Sequence, residues 1–239
     1  MRFVPVKTVE QQAILAVHRA REGFVRARTA CANHIRGLLS EYGITLPVGI
    51  RNLAKVREAL IDQDLPGIFR QLIELQLDHL RQLGDRIEEL EDQIGRWHQG
   101  NEASQRLMAI PGVGILTATA MVASIGDGRQ FRNARHLAAW LGLTPRQHSS
   151  GGKPRLLGIS KRGDVYLRTL LIHGGRTVLR HAGCNPRAEH TWHVQVMRRR
   201  HKNVAAVALA HKNARTIWAL LAKDQAFDPR QRAPKLTVA

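Results

Sequence analysis

The sequence predicts a mainly α-helical protein: a long antiparallel coiled-coil arm, then a helical domain holding a helix-hairpin-helix and a short β-hairpin or loop. Three observations carry this. Apolar residues recur in steps of three and four over two long segments among the first hundred positions. Hydrophobic residues make up 44% of the 239 while aromatics make up 5%, a balance of Ala, Leu, Ile and Val that suits packed helices. Charge is also uneven. Residues 1–100 hold 14 Lys or Arg against 13 Asp or Glu, whereas residues 101–239 hold 23 against 6. That asymmetry places a boundary close to Gly100 and divides the chain into an arm (1–100), a basic domain (101–228) and a basic tail (229–239).

The first helix is announced by Thr8 with Gln11 three residues on, a capping box that pairs side chains with exposed amides. Behind it Val17, Phe24, Cys31 and Leu38 repeat every seven residues beside Ile14 and Ile35, so one helix runs to about Tyr42 with Gly43 as its stop. A looser stretch with Pro47, Gly49, Pro66 and Gly67 follows, holding a short helix around Leu53–Leu60. From Phe69 to Trp97 the positions Leu80, Leu83, Ile87, Leu90, Ile94 and Trp97 alternate by three and four, the spacing of a coiled-coil seam. The acidic run Glu88, Glu89, Glu91 and Asp92 faces water and balances basic neighbours.

After a helix ending near Ala109, Ile110-Pro111-Gly112-Val113-Gly114 forms a tight turn, and an apolar helix opens at Ile115. In a helix-hairpin-helix the turn glycines let backbone N–H groups reach a DNA phosphate with no side chain in between. A helical hairpin in the core explains the same residues equally well. A short helix follows Phe131 and turns Leu137, Trp140 and Leu141 to the core. Short strands are expected around Arg146–His148 and Arg155–Gly158, then helices over Asp164–Arg180, Pro186–Arg200 and Asn203–Lys223.

A net charge of +18 and a pI near 11.4 select polyanionic partners. The chain has no apolar run of membrane-span length and no amphipathic basic helix with an aromatic face, so nucleic acid is expected rather than membrane. Two cysteines, Cys31 and Cys184, exclude a disulfide framework, and the absence of a signal-peptide core points to the cytoplasm.

The stretch from Thr144 to Gly163, TPRQHSSGGKPRLLGISKRG, combines Ser149 and Ser150 with Arg146, Lys153, Arg155, Lys161 and Arg162 and has no carboxylate. It is not a nucleotide P-loop, because Pro154 follows Gly152-Lys153 where Ser or Thr is required. It is not a hydrolase triad either, since His148 has no nearby Asp or Glu to orient it. Two readings remain open on residue types: a serine that attacks a phosphodiester among neutralising cations, or a loop that only clamps nucleic-acid backbone. Arg198, Arg199 and Arg200, continued by His201 and Lys202, form a second phosphate-contacting patch. Cys184, His190 and His193 offer three zinc ligands without a fourth. The carboxylates past Gly100, namely Glu102, Asp127, Asp164, Glu189, Asp224 and Asp228, share no spacing that would hold two Mg²⁺ ions.

From Ile110 to Arg176 the chain resembles the C-terminal domain of the bridge-RNA-guided DEDD transposases, the "one-ten" family of bacterial insertion sequences. The likeness runs through Pro111-Gly112-Val113-Gly114, Ile125-Gly126-Asp127, Phe131, Ala138 to Arg146, the Ser-Gly of the loop, and Ser160-Lys161-Arg162-Gly163. The N-terminal helices are similar to that family's coiled-coil segment. The resemblance implies a DNA recombinase working on an insertion sequence with a guide RNA, a dimer or higher oligomer built through the coiled coil, and a serine nucleophile. Matched on Pro145-Arg146 and the following glycine, that serine is Ser150, with Ser149 the runner-up. Complete family members begin with a RuvC-like domain whose carboxylates bind Mg²⁺, and MRFVPVKTVEQQ resembles the segment just after it. The expectation is therefore half of a composite active site, with no cofactor in this chain and Mg²⁺ only alongside the missing domain. The alternative is a non-catalytic nucleic-acid-binding module that pairs with or inhibits longer transposases.

Overall fold

The structure is a computed structural model and describes residues 6–61, 63–153, 155–184 and 191–228. The basic tail and His190 lie outside these residues. The protein is mainly α, with a two-stranded antiparallel sheet among the described residues. The described residues separate into two compact units, one formed by Leu15–Gly95 and the other by residues up to Ile14 and from Arg96 onward.

Helix α1 spans Val9–Glu41. Its capping box forms as expected: the Thr8 amide donates to Gln11 Oε1 (3.0 Å) and the Gln11 amide to Thr8 Oγ1 (3.1 Å). Gly43, at φ 75°, ends the helix. A 3₁₀ segment, Ile50–Lys55, leads into α2 (Val56–Ile61), and α3 runs from Gly67 to Gln99.

In the Leu15–Gly95 unit α1 and α3 run antiparallel, as the contacts Arg21–Glu91, Phe24–Arg86, Cys31–Gln76 and Tyr42–Phe69 show. Cys31, Ile35, Leu39, Leu53, Val56, Leu60, Phe69 and Ile73 close a small core at one end. Buried on α1 are Ile14, His18, Cys31, Ala32, Ile35 and Leu39, with Arg21, Val25 and Arg28 half-buried between them. The seven-residue track through Val17, Phe24 and Leu38 is half-buried beside them. Apolar periodicity finds Ile14, Cys31 and Ile35 on this face but not His18. Burial of Arg21 is balanced by Glu91, whose Oε1 accepts from Arg21 Nε at 2.8 Å.

The second unit is built around α5 (Ile115–Ile125), an apolar helix with eight of its eleven residues buried. A helix that is hydrophobic all round must be enclosed. Helix α4 (Glu102–Leu107) and α7 (Val165–Gly183) pack against α5, while α9 (Lys202–Ala222) packs against α7 and α6 (Ala134–Trp140). Helix α8 (Trp192–Arg199) rests on α7 and α9. Side-chain caps open four of these helices: Asn101 on α4, Asn133 on α6, Asp164 on α7 and His201 on α9.

Trp140 departs from expectation. The core face of α6 is Leu137 and Ala138, continued by Leu141, and Trp140 projects about a quarter turn away from it. Its ring meets Phe131 edge-on (centroids 5.5 Å apart), and it stays 40% exposed.

Candidate functional site

The stretch from Thr144 to Gly163 folds as a β-hairpin. Strands β1 (Pro145–Gln147) and β2 (Leu156–Ile159) pair antiparallel, each displaced by about one residue from the expected strands. Toward the tip the His148 amide donates to the Arg155 carbonyl (2.8 Å), and the Lys153 amide to the Ser150 carbonyl (3.1 Å). Gly151 and Gly152, at φ 56° and 73°, make the two-residue turn between Ser150 and Lys153. Two consecutive left-handed residues are what a tight hairpin turn of the primed type requires, and Gly-Gly supplies them without a Cβ penalty.

This register sorts the side chains. Ser150 sits opposite Lys153, and His148 opposite Arg155. Side chains alternate along a strand and directly opposed residues share a face. His148, Ser150, Lys153 and Arg155 therefore belong to one face of the ribbon, and Gln147 and Ser149 to the other. The hydrogen bonds agree: Gln147 Nε2 donates to Ser149 Oγ at 3.0 Å. The Arg155 amide also donates to Ser149 Oγ, at 3.2 Å. Ser149 thus ties the two sides of the hairpin together. Ser150 Oγ has no hydrogen-bond partner among the described residues and is exposed.

Cations recur along the hairpin in chain order. Arg146 lies on β1, Lys153 and Arg155 flank the tip, and Lys161 and Arg162 stand at the root, all exposed. Asp164, the nearest carboxylate in the chain, accepts the Leu167 amide at 2.9 Å as the α7 cap. Other carboxylates of this unit are likewise used locally. Asp127 accepts the Arg129 amide (3.0 Å), and Asp224 pairs with Arg106, which holds its carboxyl below the usual range. Among the described residues no three His, Cys, Asp or Glu side chains gather as a metal site. His193 accepts or donates across 3.2 Å to Thr191 Oγ1, and burial beside Lys212 lowers its pKa. Cys184 is exposed, and the zinc reading also needs His190, outside the described residues.

The remaining site residues lie elsewhere on the same unit. Gly112, at φ 87°, turns between α4 and α5, but its face is occupied: a Cβ there would meet the Gly174 carbonyl oxygen at 2.9 Å. Asn213, buried on α9, donates to the Pro111 carbonyl at 2.9 Å and pins the same turn. Gly114 is different, exposed and with nothing within 4 Å of a Cβ, and it caps α5 from an extended conformation. Arg198, Arg199 and Arg200 occupy the C-terminal end of α8, and all three are exposed.

Sequence reasoning missed Arg168. Helical spacing from Asp164 places it on the same stripe as the buried Leu167 and Leu171, so it is 7% exposed, and its Nη1 donates to the carbonyls of Leu141 and Arg162, each at 3.1 Å. That spacing was the available signal.

Among the described residues no helix is long and apolar enough to cross a membrane. Residues 104–193 match the family model described as Transposase IS116/IS110/IS902 family. The chain is 48% identical over 236 residues to a "Probable family 20 transposase" of Pseudomonas aeruginosa, covering 96% of this chain and 69% of that protein. It is 44% identical over 230 residues to the transposase for insertion sequence element IS1111A of Coxiella burnetii, covering 95% of this chain and 63% of the other. With the transposase for insertion sequence element IS1328 of Yersinia enterocolitica the identity is 36% over 227 residues, covering 95% of this chain and 68% of the other. The chain thus spans about two thirds of the length of these relatives.

Proposed function

The chain belongs to the IS116/IS110/IS902 family of transposases, and on that footing we propose that it acts in DNA transposition with Ser150 as the nucleophile for strand exchange. The observation that carries this reading is the division of labour between the two serines. Ser149 is spent as an acceptor for two donors, while Ser150, without a side-chain partner among the described residues, shares a ribbon face with Lys153 and Arg155.

In the reaction the Ser150 Oγ–P bond forms as the bond from phosphorus to a deoxyribose oxygen breaks. The serine proton ends on the departing oxygen, so the transfer is proton-neutral and the strand is stored as a phosphoserine ester. Charge builds on the non-bridging oxygens in the transition state, and Arg146, Lys153 and Arg155 are the side chains that steady it. Among the described residues no three His, Cys, Asp or Glu side chains gather where they could hold Mg²⁺. Carboxylates that hold Mg²⁺ would come from outside these 239 residues.

DNA and a guide RNA are the proposed polyanions, held by Lys161, Arg162 and Arg198–Arg200, with the amides beyond Gly114 as a further phosphate contact. A homodimer or higher oligomer through the arm is supported by α3, which leaves Ile68, Leu72 and Leu75 exposed on one side.

The test uses the whole chain, an end-labelled duplex carrying the element's end, and a RuvC-like carboxylate domain from a longer relative added in trans. A covalent protein–DNA adduct forms with the unaltered chain and with Ser149→Ala, and is lost with Ser150→Ala. An adduct that survives Ser150→Ala but vanishes with Ser149→Ala reverses the assignment. Salt-sensitive binding with no adduct in any mixture leaves the chain a binding module.

A further inference from the structure

Residues Pro145 to Lys153 are exposed throughout, so the tip stands clear of the domain, while Ile159 at the root end of β2 packs against the core. A lone two-stranded ribbon is marginal in water. The direction in which Ser150 points is therefore decided where the ribbon enters and leaves the domain, at Trp140–Thr144 and Ser160–Asp164.

These two stretches meet backbone to backbone. The Ser160 amide donates to the Thr144 carbonyl (2.8 Å) and the Lys161 amide to the Gly142 carbonyl (3.1 Å). A Cβ at Gly142 would lie 2.0 Å from the Arg162 carbonyl oxygen, and one at Gly163 would lie 1.9 Å from that of Trp140. Both glycines are left-handed, at φ 70° and 85°. No other residue fits at either position.

Arg168 lies at this crossing. Nη1 of its guanidinium donates to Leu141 O and Arg162 O at 3.1 Å each, and over 3.5 Å to Asp164 O. One acceptor precedes Ser150 in the chain and two follow it. Removing a charge from water is costly without compensation, and among the described residues no carboxylate provides it here. Apolar packing on this stripe of α7 needs only a residue like its neighbours Leu167 and Leu171. What a guanidinium adds is a charged nitrogen, Nη1, that donates to both stretches at once.

We propose that Arg168 is a positioning residue for Ser150: it fixes the root of the hairpin, and through it the approach of the hydroxyl to phosphorus, without touching DNA. This rests on Ser150 being the nucleophile. In-line attack is sensitive to misplacement of the order of 1 Å, which costs roughly 100-fold in rate, while phosphate clamping by long cationic side chains tolerates it.

The test compares Arg168→Met and Arg168→Lys in the full chain, using the duplex and added carboxylate domain described for Ser150. In Arg168→Met, amide exchange at Ser160 and Lys161 rises about tenfold or more while α9 amides keep their protection. Adduct formation at saturating duplex slows about 100-fold, and the half-saturating duplex concentration moves less than about threefold. Arg168→Lys recovers part of both, because an ammonium still reaches two carbonyls. Unchanged exchange at Ser160 and Lys161 in Arg168→Met overturns the proposal, as does a rate loss matched by an equal loss of duplex affinity. If Arg168→Met does not fold, Arg168→Lys decides: faster exchange confined to the root supports the proposal, and uniform loss overturns it. An unaltered chain that yields no Ser150-dependent adduct removes the nucleophile reading and, with it, a positioning role; the exchange data then show separately whether Arg168 braces the root.

Discussion

Gly174 stands so close to Gly112 that a Cβ on it would lie 1.8 Å from the Gly112 carbonyl oxygen. The turn between α4 and α5 is thereby seated on the backbone of α7, with Asn213 holding it from α9. Gly174→Ala must push that turn away. The expected cost is about 3 kcal/mol, seen as a melting midpoint lowered by on the order of 10 °C. Gly114→Ala, with open space around it, should cost no more than about 1 kcal/mol. Loss of duplex affinity in Gly114→Ala without loss of stability would mark the start of α5 as a phosphate contact; unchanged affinity would remove it from the interface.

The Gly151-Gly152 turn makes a second prediction. Neither residue has a neighbour within 4 Å of a Cβ, so the constraint is conformational alone. Asn tolerates the left-handed region and Val does not. Gly151→Asn should keep the hairpin and the adduct. Gly151→Val should open the tip and lower adduct yield at least about tenfold while the melting midpoint stays put, since the tip carries no core contacts. Equal yields from both variants would show that the turn does not orient Ser150.

Duplex binding should weaken steeply with salt. Each phosphate contact contributes a slope of about −0.9 in log affinity against log salt. Replacing Arg198, Arg199 and Arg200 together by Ala should flatten the slope by up to about 3. A slope that stays the same would mean that the end of α8 does not meet nucleic acid.

His18 is buried, and burial together with Arg21 lowers its pKa from 6.5 to about 4. In the folded chain it stays neutral where the unfolded chain takes up a proton. Its contribution is complete above about pH 6.5, falls as the pH drops through that window, and levels off below about pH 4. The difference amounts to about 3 kcal/mol at most. Melting curves between pH 4 and 7 should therefore show a steep acid loss that His18→Gln reduces. An equally steep loss in the variant would assign it to other groups.

The arm was legible as two long helices because apolar spacing and a capping box survive in the sequence, and much of its buried face was too: Cys31 and Ile35 on α1 and Leu80, Leu83 and Ile87 on α3 are buried. The polar members escaped it: His18 is buried, and Arg21 and Arg28 are half-buried, Arg21 against Glu91 of the facing helix. The hairpin was legible from the Ser and Gly cluster, with strand ends off by about one residue. What separates Ser149 from Ser150 is a cross-strand register, which no spacing in one strand contains. Trp140 misled because seven residues of α6 make too short a stripe to tell its core face from the next turn. That Gly112 is packed on the backbone of Gly174 was not legible, because a turn glycine looks the same from sequence whichever neighbour its open face meets.

Lys161 holds a left-handed backbone conformation, φ 57°, between Ser160 and Arg162. For a residue with a long side chain this costs about 1 kcal/mol that glycine would not incur. A directed-evolution screen for heat resistance alone should therefore drift toward Lys161→Gly and remove a cation from the hairpin root. A screen for strand transfer should hold the lysine. On the role proposed for Lys161, the pressures for endurance and for grip on DNA oppose each other at this position, and the outcome of a laboratory lineage would reveal which of them the screen had applied.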